Sequence, residues 1–283
     1  MTLPAFVINL DRSPDRWRFM AGHVGARGFD VRRTVAVDGA ALTDADIARL
    51  TVAVPGVRAL ARNEIACFES HKRAWSELIA SGAPWGLVLE DDVFLAPETA
   101  ALAAAIVAAA PAGIVKLNSY EKPIYVQTAP VWQGAGHRLL RPAQKTIDGS
   151  AYLMSRPAAE AALVRFARYS EEVDISLFDP ATGIAVAQVV PALAVQQKFA
   201  DFDFLNEAAK ESALETGRAA EQVALKRTRP RRGLGQIVGA ELRRFWRRRL
   251  EPRAVQLANP FRPVDRRLAH LLIAFPSDSR GAS

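Results

Sequence analysis

Trp85-Gly86-Leu87-Val88-Leu89-Glu90-Asp91-Asp92-Val93 is the stretch on which the reading of this chain turns. Its first half is an apolar run, the pattern of a buried strand. Its second half sets three consecutive carboxylates where that strand ends. Three adjacent negative charges are costly to bury unpaired. Two readings compete. One is a solvated acidic turn after a core strand, favoured on this stretch alone because short acidic motifs recur by chance. The other is a cation and diphosphate site. Hard divalent ions take oxygen ligands, often one or two carboxylates together with substrate phosphates. Ligands of open α/β sheets sit beyond the carboxyl ends of the strands. On an extended strand Glu90 and Asp92 point to one side and Asp91 to the other. A turn after Glu90 would change that pairing.

Outward from this stretch, strand-like and helix-like segments alternate. Ala5–Leu10 reads as a first buried strand, followed by an Asp11-Arg12-Ser13-Pro14 turn whose Ser13 and Pro14 suit a helix start. Phe29–Val31 and Thr34–Val37 read as two short β pieces, and Asp38-Gly39 as a turn. Thr43-Asp44-Ala45-Asp46 resembles a capping box. Arg62–Ala80 is a strong amphipathic helix, with Ile65, Phe68, Trp75, Leu78 and Ile79 at helical spacing. An Ala-rich helix is expected from about Pro97 to Ala110, strands at Ile114–Leu117, Ser150–Met154 and Ile184–Val190, and a helix from Ser155 to about Tyr169. Residues 120–141 read as hairpin-like or irregular. The alternation predicts an α/β fold, a mostly parallel central sheet flanked by helices. Residues 1–205 would form this domain and 206–283 a helical, basic extension.

Composition excludes little else. The 283 residues are 50% hydrophobic and 24% charged, as in ordinary globular proteins. The single cysteine, Cys67, rules out an intramolecular disulfide and fits a reducing compartment; it reads as a small core residue rather than a nucleophile. With no secretory pattern at Met1 and no apolar run long enough to span a bilayer, a soluble or membrane-peripheral protein is expected. Lys226–Arg253 alone carries a net +9 against +7 for the whole chain, so the rest is slightly acidic. Within it, Ile237, Leu242, Phe245, Trp246 and Leu250 gather on one side among arginines. That pattern suits a helix lying on an anionic membrane surface. A solvated capping helix competes evenly with it; nucleic-acid binding lacks any reader motif.

Four constellations could carry chemistry. Asn9-Leu10-Asp11-Arg12, with Arg16 one turn on, stands where a nucleotide meets a doubly wound sheet. No glycine-rich dinucleotide or P-loop sequence accompanies it. Glu64, Ser70, His71 and Trp75 share the strong helix. His71 has no second histidine at metal-ligand spacing, and adjacency of Ser70 and His71 gives no warrant for a hydrolytic triad. The acidic stretch is third. The fourth is Asp148-Gly149-Ser150-Ala151-Tyr152, with Asp174 downstream as a carboxylate able to act as a general base or merely as a helix cap.

Taken together, the four sites resemble the motifs of glycosyltransferase family 25, the lipooligosaccharide biosynthesis glycosyltransferases. The resemblance rests on Asn9–Arg16, Ala36-Val37-Asp38-Gly39, Glu64–Trp75, Leu87–Asp92 and Gly149–Leu153, in order and spacing over about residues 4 to 200. Asn63, Ala66 and Glu69 depart from it, where glycine, glycine and an aliphatic residue are usual. The resemblance implies a GT-A-like fold and transfer of a sugar, galactose favoured, from a nucleotide-sugar donor such as UDP-galactose to a cell-envelope glycan or glycolipid. It implies a divalent metal, manganese favoured, at Glu90, Asp91 and Asp92. Donor-binding residues would be Asn9, Leu10, Arg16, Asp38, Gly39, Glu64, Ser70, His71, Gly149 and Ser150. Asp174 is the first candidate for the base, Asp148 the second, and Asp91 belongs to the catalytic carboxylates. The location implied is cytoplasmic, peripheral on the inner membrane face. A non-catalytic glycan- or nucleotide-binding descendant is the alternative, and a hydrolase is disfavoured by the spacing.

Overall fold

The computed structural model describes residues 2–55, 57–118, 123–200, 268–273 and 275. In chain order the elements are β1 (Pro4–Asn9), α1 (Pro14–Ala26), β2 (Asp30–Val35), α2 (Asp44–Leu50), α3 (Arg62–Ala80), β3 (Trp85–Glu90), β4 (Val93–Leu95) and α4 (Thr99–Ala109). They continue with β5 (Ile114–Lys116), β6 (Ile124–Gln127), β7 (Trp132–Gly134), β8 (His137–Leu140), β9 (Ala151–Ser155), α5 (Arg156–Arg165), α6 (Val173–Leu177), β10 (Val186–Val190), β11 (Ala194–Gln196) and β12 (Leu268–Leu271).

The main sheet runs β2-β1-β3-β9-β5-β10-β8-β7. β1 pairs in parallel with both β2 and β3, and β5 with β10. β9 lies antiparallel between β3 and β5, and β8 antiparallel between β10 and β7. All strands but β9 and β8 therefore point the same way, which is the mostly parallel α/β architecture expected. Its two reversals were not foreseen. Because β9 runs backwards, its start at Ala151 meets the same edge as the ends of β1 and β3. The chain leaves β1 for β2 on one side and later returns to β3 on the other. The ends of β1 and β3 thus form a topological switch point, where such sheets bind ligands.

Both faces are covered, which explains why β1 is buried along its whole length. Ala5, Val7, Leu87 and Leu89 face Met20 and Val24 of α1 and Leu102 and Ile106 of α4. Phe6, Ile8 and Val88 face Ile65, Phe68, Trp75 and Leu78 of α3 with Ala158 and Ala162 of α5. Trp75 is fully buried; truncating such a side chain costs about 3–5 kcal/mol. Gly86 lets α3 close on the sheet, since a Cβ there would stand 2.9 Å from both Leu78 and Phe6.

Several local readings change. The two β pieces around residues 29–37 are one strand, β2, paired with all of β1. The Thr43–Asp46 capping box forms as expected, and α3 spans the expected residues. The Ala-rich helix starts at Thr99 rather than Pro97. α5 stops at Arg165, short of Tyr169, because Phe166 and Tyr169 turn inward onto the Phe68 ring. Residues 120–141 contain the β7–β8 hairpin and β6. Within the extension expected to be helical, Leu268–Leu271 is a strand paired with β6. The basic stretch 226–253 and the 205/206 boundary lie outside the described residues. Among the described residues, no helix is long and apolar enough to cross a membrane.

Candidate active site

A cleft of about 280 Å³ opens at the switch point. One wall is the β1–α1 turn. Asn9, buried at the end of β1, donates from Nδ2 to the Ser13 carbonyl at 3.0 Å and to Asp91 Oδ2 at 2.7 Å. Its Oδ1 accepts from Arg33 Nε at 2.9 Å. Arg16, one turn into α1, donates to Asp91 Oδ1 at 2.9 Å. Both oxygens of Asp91 are thereby committed to the opposite wall. Burial pushes the Asp91 carboxyl up, opposed by the Arg16 charge and the Asn9 and Arg16 hydrogen bonds.

The chain turns after Glu90, yet Glu90 and Asp92 still fall on one side and Asp91 on the other. The reason is Gln196 of β11, whose Nε2 donates to Glu90 Oε2 at 2.7 Å and to Asp92 Oδ1 at 2.9 Å. β11 reaches this position by pairing with β4, placing Gln196 opposite Val93. Burial, then repulsion from Glu90 and Asp91, pushes the Asp92 carboxyl up to about 7. Two acids sharing one amide donor, Asp92 buried and Glu90 partly exposed, concentrate negative charge that a cation would neutralise. The oxygen-only donor set fits a hard divalent ion.

The far wall is the approach to β9. Asp148 takes a left-handed conformation, φ 70°, and its Oδ1 accepts from the Ser150 amide at 3.0 Å. Asp174, in the first turn of α6, accepts from the Asp148 amide at 2.8 Å through Oδ2 and from the Ile175 amide at 2.8 Å through Oδ1. Beneath them lies Lys116 of β5, wholly buried. It donates to the Ile147 carbonyl at 2.6 Å and to Thr146 at 3.1 Å, with its ammonium 4.0 Å from the centre of the Phe178 ring. Burial lowers the Lys116 amine to about 8, while Asp148 and Asp174 hold it up. Burial likewise raises Asp148, opposed by Lys116.

The α3 face completes the cleft, and its residues divide. Glu64 is used by the fold: Oε2 accepts from the Ala61 amide at 2.9 Å and Arg58 grips both oxygens at 2.7 Å. Ser70 is also committed, donating to the Ala66 carbonyl at 2.7 Å and accepting from the Val37 amide at 2.8 Å, so it is not paired with His71. His71 is buried, with Nδ1 2.9 Å from Tyr152 Oη; Trp75 Nε1 donates to the same oxygen at 2.7 Å. Cys67, expected in the core, instead sits at its edge and lines the cleft.

Of the residues singled out from the sequence, Leu10, Gly39, Glu64, Ser70, Gly149 and the three acids of the central stretch line the cleft, as do Arg16, His71, Asp148 and Asp174. Asn9, Asp38 and Ser150 do not line it. Asp38 caps the turn at Ala40 and pairs with Arg12. Ser150 is buried and joins Asp148 to Glu90 through its backbone. Gly39 has no room for a side chain, since a Cβ would fall 2.2 Å from Asn63 Oδ1. Glu69 accepts from Lys72 at 2.8 Å and from Tyr169 Oη at 3.1 Å, and it does not line the cleft. Gln196 and Lys116 were missed. A lysine inside the apolar run Ile114-Val115-Lys116-Leu117 was a readable signal; Gln196 had none.

Residues 2–177 match the model of glycosyltransferase family 25, described as an LPS biosynthesis protein. A glycosyltransferase 25 family member of Aedes aegypti is 35% identical over 99 residues, 32% of this chain and 16% of that protein. Human procollagen galactosyltransferase 2 is 38% identical over 95 residues, 31% of this chain and 15% of that one. Human inactive glycosyltransferase 25 family member 3 is 39% identical over 95 residues, 31% of this chain and 16% of that one. The matched stretch therefore spans about a sixth of these relatives. The family model covers well over half of the 283 residues, and the chain belongs to glycosyltransferase family 25.

Proposed function

We propose that this chain is a hexosyltransferase that moves a sugar, galactose favoured, from a UDP-linked donor to a hydroxyl of a cell-envelope glycan such as lipooligosaccharide. The observation that carries this reading is the pair Glu90–Asp92, drawn together by Gln196 on the cleft floor. A divalent ion, manganese favoured, would be held by Glu90 and Asp92 and would supply countercharge for the departing nucleoside diphosphate. Asp91 serves the site by fixing the β1–α1 wall to the acidic turn.

For the proton of the acceptor hydroxyl we favour Asp148 ahead of Asp174, reversing the order suggested by sequence. Both Asp174 oxygens accept from backbone amides, one of them the amide of Asp148 itself. Asp148 uses one oxygen on Ser150, and burial raises its pKa, which makes its carboxylate the better proton acceptor. Asp174 then holds the strained Asp148 backbone in place, and Lys116 anchors the same loop through Ile147. An acceptor at the cytoplasmic membrane face, reached through 226–253, completes the proposal.

A panel of UDP-sugars and glycan acceptors, assayed with and without manganese, tests it. Turnover with one donor, dependent on the ion, is expected. Donor binding by calorimetry without turnover on any acceptor would favour instead a non-catalytic binding module, the reading supported by Asn63 on the cleft wall and by a relative named inactive. Vesicle flotation with and without residues 226–253 tests the membrane arm; equal flotation removes it.

A further inference from the structure

Cys67 and His71 lie four residues apart on α3, so both project from one face of that helix. Glu90 comes to meet them from the end of β3. The thiol sulfur, an imidazole nitrogen and a carboxylate oxygen of these residues all lie within 4.8 Å of one another, and all three residues line the cleft. His71 Nε2 has no hydrogen-bond partner among the described residues, although the side chain is 1% exposed. It stands 3.7 Å from Glu90 Oε1. A buried ring nitrogen left without a partner calls for an explanation, and a bound cation is one.

We propose that Cys67, His71 and Glu90 form a three-ligand site for a borderline divalent ion of the zinc class, separate in its chemistry from the oxygen-only pair Glu90–Asp92. Donor atoms around a tetrahedral zinc stand about 3.3–3.8 Å apart, given bonds of roughly 2.0–2.3 Å. The His71–Glu90 separation of 3.7 Å is a few tenths of an ångström longer than a nitrogen–oxygen pair on zinc needs, and the thiol sulfur lies within 4.8 Å of both atoms. Three protein ligands and one open position is the arrangement of zinc sites that bind an exchangeable fourth group. Here that position faces the cleft.

The surroundings suit such a ligand set. In the tautomer with its proton on Nδ1, His71 donates to Tyr152 Oη, which also accepts from Trp75, and Nε2 is left bare toward Cys67 and Glu90. A hydrogen bond to the second ring nitrogen is the usual means of orienting a metal-bound histidine. Gln196 orients Glu90 through its other oxygen. On binding, the Sγ–H bond of Cys67 breaks, its proton passes to solvent, and the sulfur lone pair forms the bond to the ion. A thiolate with an imidazole selects zinc or cobalt over magnesium, whereas carboxylates alone do the reverse. The inference does not depend on sugar transfer.

Cobalt(II) added to the purified full-length chain tests it, because thiolate ligation produces a near-ultraviolet charge-transfer band and the chain has one cysteine. The band should appear at one equivalent, vanish on zinc addition and survive excess magnesium. C67S should abolish it and weaken cobalt binding by about 10–100-fold, the scale on which lesser changes around a metal site already act. Cobalt binding without the band, displacement of the band by magnesium, or its persistence in C67S would each overturn the proposal. Cobalt held by the acidic pair alone would leave the transfer reading standing, since that binding would be lost in D92N and retained in C67S. Should C67S fail to fold, alkylation of Cys67 in the native chain decides: zinc should slow it at least about tenfold, and an unchanged rate overturns the site.

Discussion

Asp91 and its neighbours Glu90 and Asp92 are three acids in a row with two different fates. Asp91 is locked into the fold by Arg16 and Asn9, one partner to each oxygen. Glu90 and Asp92 face the other way and share the neutral amide of Gln196. The first arrangement is electrically closed and serves structure. The second sets two carboxylates on one neutral donor, and burial with repulsion from Glu90 and Asp91 raises the Asp92 carboxyl; a site that binds a cation has that property. The comparison teaches that adjacency in sequence says little about role; the partner brought by the fold decides it.

Asp92→Asn should produce the largest effect, and it discriminates sharply between the two fates. If Asp92 helps hold a cation that would offset charge on a leaving diphosphate, transfer in the variant should fall by about 10³-fold. Stability should move the other way. The folded-state pKa of Asp92 is raised from 3.8 to about 7, so the folded chain holds a proton that the unfolded chain releases. Stability from this group is full below pH 3.8 and is lost as pH rises toward about 7. Above that window the wild type carries a penalty of at most about 4 kcal/mol, which the amide removes. Urea denaturation at pH 8 should therefore find D92N more stable than wild type and the difference gone at pH 4. A destabilised D92N would place Asp92 with Asp91 among the structural acids.

Asp148→Asn comes next, with transfer reduced by about 10²–10³-fold, the usual contribution of a positioned base. Asp174→Asn should lower it less, since Asp174 acts through the Asp148 backbone. Measured kcat values with one acceptor settle the order; a larger loss in D174N restores Asp174 as the base.

Asp91→Asn tests the closed half. The buried Arg16–Asp91 ion pair would be broken from one side, a change that costs about 3 kcal/mol or more. Urea denaturation should register that loss, and any loss of transfer should track the folded fraction. A stable but inactive D91N would mean that Asp91 belongs with the cation-binding pair.

What the sequence disclosed follows the same division between near and far. β1, α3 and β3 were legible because their apolar residues recur at strand or helix spacing within one short window, and both sheet faces are covered. Asn9, Arg16 and the acidic turn were legible because they end such elements at a switch point. β2 reads as two pieces in the sequence because two charged residues, the exposed Arg32 and the half-buried Arg33, interrupt the apolar pattern, while pairing with β1 carries the strand through them. α5 was drawn too long because the inward turn at Phe166 depends on Phe68, far away in sequence. Gln196 lies 106 residues from Glu90 and arrives by a short β11–β4 ribbon, which no local pattern announces. Cys67 was placed in the core because its neighbours on α3 are apolar, yet its own position on the helix faces the cleft.

The smallest expected effect concerns a residue that the sequence made conspicuous. Ser70 beside His71 invited a hydrolytic reading, in which the serine would be a nucleophile and its loss would abolish activity. Its hydroxyl instead donates to the Ala66 carbonyl and accepts from the Val37 amide, tying α3 to the segment after β2. Ser70 therefore resembles Asp91 rather than Asp92: its polar groups are closed within the fold. Ser70→Ala should cost about 1 kcal/mol, the net worth of a typical hydrogen bond. Transfer should fall no more than a few-fold, through a slight loosening of the Val37–Gly39 wall of the cleft. A loss of 10³-fold at unchanged stability would instead make the serine part of the chemistry and return the hydrolase to contention.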